Sequence, residues 1–262
     1  MARTGGHTPR AGMLAGAALA GFLLLLLSFS SAFAIMGPGN FTFGKDPAPQ
    51  TYGNIIMRPE GAKPVIFSHW VHRLRYTCRV CHFELQINFK AGTTGITMED
   101  NVEGKYCGAC HNGKTAFGIE HCGRCHNGGV GPGEKEFAKK TLKLPRAMHG
   151  NGIDWNLAMR EKLIKPMTYL NTKPEGFTFD KALTLPAAWD YVPPVVFPHK
   201  AHNRWLDCNN CHPEIFDIQN RTEDQNKMES YFKGKFCGVC HGKVAFPLED
   251  CSRCHLGMRD WR

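Results

Sequence analysis

Every cysteine of the chain belongs to one short motif, Cys-x-x-Cys-His. The 262 residues include twelve cysteines, which form six pairs with a histidine directly after each pair. In chain order the motifs, numbered 1 to 6 below, contain Cys78, Cys81 and His82; Cys107, Cys110 and His111; Cys122, Cys125 and His126; Cys208, Cys211 and His212; Cys237, Cys240 and His241; and Cys251, Cys254 and His255. A spacing that recurs without exception indicates one shared chemistry.

This spacing is the attachment motif of c-type haem. Two thiols one helical turn apart face the same way and can bond to both vinyl groups of one porphyrin, while the next histidine supplies an axial ligand to the iron. Zinc sites, redox-active cysteine pairs and disulfide frameworks also use paired cysteines, but none of them needs a histidine after every pair. The sequence therefore predicts six covalently attached c-type haems.

The N-terminal segment, residues 1–34, is typical of an export signal. Arg3 and Arg10 precede an apolar, uncharged stretch at residues 13–29, and Ala32-Phe33-Ala34 offers a small-residue cleavage site. We expect cleavage after Ala34; the alternative is an uncleaved anchor, although 17 apolar residues are at the short end for a membrane span. In both cases we expect the protein in the periplasm or elsewhere outside the cytoplasmic membrane.

The chain also repeats itself. Val65–His72 matches Val195–His202, and motifs 1 and 2 recur as motifs 4 and 5, all with an offset of 130 residues. Motif 3 recurs as motif 6 with an offset of 129. We infer a tandem duplication of a unit with three motifs, with domain 1 at 40–128, domain 2 at 176–262 and a linker at 129–175 between them.

The linker contains one amphipathic segment. Asp154 is placed to cap a helix that runs to Ile164 and stops before Pro166. Its apolar face consists of Trp155, Ala158, Met159 and Leu163. We expect this helix to pack between the two domains; a mobile linker is the alternative.

Two further histidine pairs precede motifs 1 and 4. His69 and His72, and their repeats His199 and His202, form the pattern Phe-x-His-x-x-His. Histidines three residues apart lie on adjacent sides of one helical turn and can point at two irons that flank it. We therefore expect these four residues to be second axial ligands rather than ordinary surface or core histidines.

Phe-x-His-x-x-His followed by three Cys-x-x-Cys-His motifs resembles the c7-type triheme cytochromes of the cytochrome c3 superfamily. The resemblance covers residues 40–128 and 176–262 and implies six haems in two tandem triheme units, with a mostly irregular chain and short α-helices wrapped around them. It also implies four pairs of axial ligands: His69 with His82, His72 with His111, His199 with His212, and His202 with His241.

The third haem of each unit departs from the simplest family pattern. Small members have a histidine four residues before the second motif, where this chain has Glu103 and Lys233. Some relatives with repeated domains look to use methionine, and Met98 and Met228 each lie nine residues before a second motif. The resemblance thus suggests His/Met ligation and a higher reduction potential for these two haems; two core methionines are the alternative.

Two histidines remain outside these patterns. His121 precedes motif 3, but its repeat position holds Asp250, so we do not expect it to be a ligand. His149 lies in the linker and has no repeat partner; it either caps a haem at the junction or is exposed.

The composition excludes several classes of protein. With 42% hydrophobic and 21% charged residues, the chain is neither collagen-like nor a multi-span membrane protein. The formal charge of +9 does not indicate nucleic acid as a partner, because the propionates of six haems would offset it.

Irons with both axial positions filled can only pass electrons. We therefore expect an exported electron carrier without catalytic residues, whose partners are redox proteins such as a quinol-oxidising membrane complex or other cytochromes. Two alternatives stay open: a multihaem reductase, if a third-motif haem has an open position, and an anchored cytochrome subunit of a quinone-linked complex. Membrane association requires that the N-terminal segment is retained.

Overall fold

The computed structural model describes Met1 and residues 47–129, 133–171, 179–220 and 222–258. Apart from Met1, the predicted export segment lies outside these residues, as do the expected domain starts at 40 and 176. The described chain from Pro47 onwards belongs to one structural unit. Within the described ranges, none of the helices has the length and apolarity needed to cross a bilayer.

Each repeat begins with a two-stranded hairpin that leads directly into a histidine-bearing helix. Domain 1 contains β1 (Asn54–Met57), β2 (Val65–Ser68), α1 (His69–Arg73), a π-helical turn (Val80–Glu84), α2 (Met98–Val102), a 3-10 turn (Tyr106–Ala109) and α3 (Cys122–Cys125). The linker contains α4 (Glu134–Thr141) and α5 (Trp155–Arg160). Domain 2 contains β3 (Ala182–Leu185), β4 (Val195–Pro198), α6 (His199–Asn203), 3-10 turns at Cys208–Asn210, Glu223–Asn226 and Phe236–Val239, α7 (Met228–Phe232) and α8 (Cys251–Cys254).

The two hairpins have the same antiparallel register relative to their helices. Asn54 pairs with Ser68 in the first hairpin, and Ala182 pairs with Pro198 in the second, so the last strand residue is also the N-cap of α1 or α6. The described helices have four to eight residues and the two sheets have two strands each. The expected fold class, a mostly irregular chain with short helices, is confirmed.

The linker helix α5 begins where the sequence predicts and ends earlier. The Oδ1 of Asp154 accepts a hydrogen bond from the Leu157 amide at 2.9 Å, as expected of an N-cap. The helix stops at Arg160 rather than at Ile164, because Lys162 adopts a φ of +59°. The turn leaves Leu163 half-exposed and buries Ile164 instead, so the prediction that Leu163 belongs to the packed face was wrong.

The largest apolar cluster is built around the linker. Its buried members are Trp70, Phe137, Leu144, Ile153, Ala158 and Ile164. Trp70 comes from α1 of domain 1, and its ring meets Phe137 of α4 edge to face with centroids 5.0 Å apart. Trp205 of domain 2 packs against the same cluster. The linker therefore packs against parts of both repeats, and none of the buried members of this cluster is a predicted haem ligand.

Replacement of Phe137 by alanine should lower the free energy of unfolding of the haem-loaded protein by about 3–5 kcal/mol, because a buried ring is lost and leaves a cavity. Leu142→Ala is the matched control, since Leu142 follows α4 and is 71% exposed; its effect should stay within about 0.5 kcal/mol. Denaturant titrations of both variants measure the difference. Equal effects would mean that the linker cluster does not support the fold.

Candidate haem sites

A single closed helical turn positions the thiols and the histidine of five of the six motifs, and motif 1 forms a π-helical turn instead. In motifs 2 to 6 the backbone N–H of the histidine donates to the carbonyl of the first cysteine, at 2.8–2.9 Å. This turn brings both cysteine side chains to one side of the backbone, as attachment to one porphyrin requires. In motifs 2 and 5 the turn also packs tightly on the preceding helix. A Cβ on Gly108 would overlap the carbonyl of Asn101, and one on Gly238 would overlap that of Tyr231.

Burial raises the pKa of several motif cysteines. All twelve lie in the described ranges, and none is in a disulfide. Burial raises the pKa of Cys81 and Cys240 to about 12, and that of Cys211 and Cys254 to about 11. A redox-active or metal-binding cysteine pair depends on a lowered thiol pKa. The raised pKa values of these four thiols therefore argue against a redox-active cysteine pair.

Ten histidines share one geometric feature: Nδ1 of the ring lies at hydrogen-bond distance from a backbone carbonyl oxygen. The pairs in domain 1 are His69 with Gly53, His72 with Ser68, His82 with Ile87, His111 with Phe117, and His126 with Lys63. The pairs in domain 2 are His199 with Lys181, His202 with Pro198, His212 with Phe216, His241 with Phe246, and His255 with Pro193. These ten are the histidines that the sequence predicts as ligands.

A carbonyl oxygen can only accept, so Nδ1 must carry the proton and donate it. The lone pair then lies on Nε2, which is free to bind a metal, and the ring orientation is fixed. Burial supports this neutral form: it lowers the pKa of His69 and His241 to about 4, and it also lowers the pKa of His72, His82 and His202. The donor set therefore fits haem iron.

Two of the expected ligand pairs have a ring spacing that suits a shared metal ion. The ring centroids of His72 and His111 are 6.3 Å apart, and those of His202 and His241 are 6.2 Å apart. In a metal–imidazole complex the metal–nitrogen distance is about 2 Å, and the ring nitrogen lies about 1 Å from the ring centre. Two imidazoles on opposite sides of one metal ion therefore have centroids about 6 Å apart. The structure thus brings together both members of each pair, and His82 lies close enough to His69 to influence its pKa.

One phenylalanine orients both distal histidines in each repeat. Phe67 stacks on His72 with centroids 4.4 Å apart and meets His69 edge-on at 4.9 Å. Phe197 makes the same two contacts with His202 and His199, at 4.3 and 4.8 Å. The phenylalanine of the Phe-x-His-x-x-His pattern is therefore a positioning residue. Its recurrence in the pattern is the feature of the sequence by which this role could be recognised.

The predicted sulfur ligands occupy equivalent places in the two repeats. Met98 is the first residue of α2 and Met228 is the first residue of α7. Met98 is 55% exposed, so it is not part of a polypeptide core. Glu103 and Lys233, which replace the family histidine, are engaged in ion pairs with Lys105 at 2.7 Å and with Glu229 at 2.5 Å.

The two other described histidines lie in different surroundings. Nε2 of His121 is 3.3 Å from a carboxylate oxygen of Glu120, and the side chain is exposed. His149 lines a small open pocket together with Tyr52, Arg73 and Phe246, where the linker meets both repeats.

Comparison with known proteins gives one family. The model for cytochrome c7 and related cytochrome c matches residues 65–127 and 195–256. The chain is 40% identical to a c7-type three-heme cytochrome domain, over 30% of this chain and 99% of that one, with a TM-score of 0.27. It is 28% identical to the C-terminal hexaheme fragment of GSU1996, over 81% of this chain and 99% of the fragment, also with a TM-score of 0.27.

The full dodecaheme cytochrome c GSU1996 is 28% identical over 85% of this chain and 53% of its own length, with a TM-score of 0.27. No curated protein matches the chain. Each family match begins at the second hairpin strand and ends just after the third motif of its repeat, so each spans one complete set of three motifs. The chain therefore belongs to the cytochrome c7 family, in two tandem copies.

Proposed function

We propose that this protein is an exported electron carrier that holds six c-type haems, three in each domain. The observation that carries the proposal is the shared geometry of ten histidines, each with Nδ1 directed at a backbone carbonyl. The bound haem supplies one-electron chemistry between ferrous and ferric iron. The residues of the chain bind it, orient it and keep its ligand set unchanged in both oxidation states.

The proposed roles follow the repeat. The twelve motif cysteines attach the haems, and the six motif histidines are proximal ligands. His69, His72, His199 and His202 are the second ligands of the first two haems of each domain. Met98 and Met228 are the second ligands of the third, which makes these two haems the ones of higher potential.

The proposal also covers the organisation and surroundings of the protein. The domains are those at 40–128 and 176–262, and the segment at 1–34 directs export and is cleaved after Ala34. Redox proteins outside the cytoplasmic membrane, such as a quinol-oxidising complex or another cytochrome, then donate and accept the electrons.

Carbon monoxide should not bind to the fully reduced protein, because every iron has two ligands from the chain. The measurement is the absorption spectrum before and after addition of the gas, together with a count of six haems per chain. Binding at one or two of the six haems would contradict full ligation and would favour the alternative of a multihaem reductase.

Replacement of His72 by alanine should create one haem that binds carbon monoxide, because the partner of His111 is then missing. His121→Ala is the control, since His121 faces Glu120 rather than another predicted ligand. The carbon monoxide difference spectrum should report one of six haems in the first variant and none in the control. If neither variant binds carbon monoxide, His72 is not a ligand.

Replacement of Met98 by leucine should remove one high-potential step from a redox titration and weaken the sulfur-to-iron charge-transfer band. Axial ligands tune haem potentials over about 0.8 V, so a shift on the order of 0.1 V is expected for the affected haem. Met148→Leu, an exposed methionine of the linker, is the control and should leave the titration unchanged. An unchanged titration in the Met98 variant would contradict methionine ligation.

A further inference from the structure

The two repeats differ at the residues that bring them into contact. Arg79, inside motif 1, corresponds to Asn209 of motif 4 with the 130-residue offset, and Arg73 corresponds to Asn203. The ligand geometry is duplicated, but these two arginines are present in domain 1 alone. Both side chains reach into domain 2.

Arg79 binds the end of the helix that carries the distal histidines of domain 2. Its Nη2 donates to the carbonyl of Asn203, the last residue of α6, at 2.9 Å, and also to the carbonyl of Leu206. Its backbone N–H donates to the carbonyl of Trp205 at 3.0 Å. Its Nε lies 3.7 Å from a carboxylate oxygen of Asp207. The side chain is buried, so these contacts hold motif 1 closely against domain 2.

Arg73 makes the second bridge. Its Nη2 donates at 2.8 Å to the carbonyl of Val244, which follows motif 5, and its guanidinium lies 5.2 Å from the ring centroid of Trp155 in the linker. Beside it, the hydroxyl of Tyr52 donates to the carbonyl of Ala245 at 2.6 Å. Motif 5 is therefore tied to domain 1 as well.

The helical turns of motifs 1 and 4 also pack directly on each other, at Val80–Glu84 and Cys208–Asn210. Motif 3 has its contacts within its own repeat: His126 lies 3.0 Å from the carbonyl of Lys63, and Arg124 stacks 3.8 Å over the ring of Phe117. Motif 1 thus packs against domain 2, although motif 3 is nearer to domain 2 along the sequence.

We propose that electrons cross between motif 1 of domain 1 and motifs 4 and 5 of domain 2, in either direction, and that Arg79 and Arg73 are positioning residues for this crossing. The inference rests on the proposed function, because it requires haem at these motifs. With haem bound at these motifs, the site held by His82 would give up one electron and the site held by His212 or His241 would take it up, or the reverse. No bond forms or breaks.

Proton NMR of the fully reduced, haem-loaded protein tests the arrangement. Nuclear Overhauser contacts should join substituents of the motif 1 haem to those of the motif 4 or motif 5 haem. The absence of these contacts, or their replacement by contacts between the motif 3 and motif 4 haems, would overturn the inference. A haem count below six would instead contradict the proposed function, so the two failures are distinguishable.

Arg79→Gln tests the positioning role, with Arg124→Gln as the matched control. Both variants remove an arginine from inside a Cys-x-x-Cys-His motif, but only Arg79 contacts the other repeat. Chymotrypsin cleavage within the linker should become about tenfold faster in the Arg79 variant, which corresponds to about 1.4 kcal/mol of lost stability at the junction. The control should be cleaved at the rate of the unchanged protein.

Two further measurements keep this test decisive. Haem counting shows whether each variant still attaches its full set, and Arg73→Gln offers a variant outside any motif with the same expected acceleration. If both junction variants keep the original cleavage rate and the original nuclear Overhauser contacts, the arginines do not position motif 1 against domain 2.

Discussion

The hydrogen bond from Nδ1 of each of the ten predicted ligand histidines to a backbone carbonyl is the constraint on which the rest of the structure depends. Once Nδ1 has donated its proton, only Nε2 can bind a metal, and the carbonyl decides where that nitrogen points. The carbonyls belong to the residue before a strand, as at Gly53, to the residue before a helix, as at Ser68, or to a loop after a motif, as at Phe117. Segments without regular secondary structure therefore supply many of the carbonyls that orient the predicted ligands.

Duplication supplies the ligand geometry twice, but a junction between two copies requires them to differ. Trp70 is fully buried against the linker, whereas the equivalent residue of domain 2 is Lys200, which is exposed and lies 3.6 Å from Asp180. The same helix thus packs on the linker in one domain and faces solvent in the other. The differences between the repeats lie beside the ten predicted ligand histidines rather than at them, so contact between the domains can be built without replacing any of these histidines.

The sequence was sufficient for the features that are local. Six identical motifs, a repeat of constant offset and an N-cap at Asp154 each depend on residues a few positions apart. It was insufficient where a backbone angle or a distant contact decides the outcome. Because Lys162 has a positive φ, the side chain of Ile164 is buried in the core and that of Leu163 is exposed. Arg79 donates to carbonyls of residues that are 124 and 127 positions away in the sequence. Neither feature leaves a periodic pattern that could be recognised in advance.

The position of Arg79 has a mechanical consequence. The last carbonyls of a helix have no partner within it and carry the negative end of its dipole, so a guanidinium bound there is favourably placed. The helix in question is α6, whose first and fourth residues are the histidines His199 and His202. A residue inside motif 1 therefore holds the helix that presents both distal ligands of domain 2. One buried side chain thus connects motif 1 to the helix that carries the distal histidines of domain 2. A shift of the two domains at this point would therefore disturb the proposed haem sites of both.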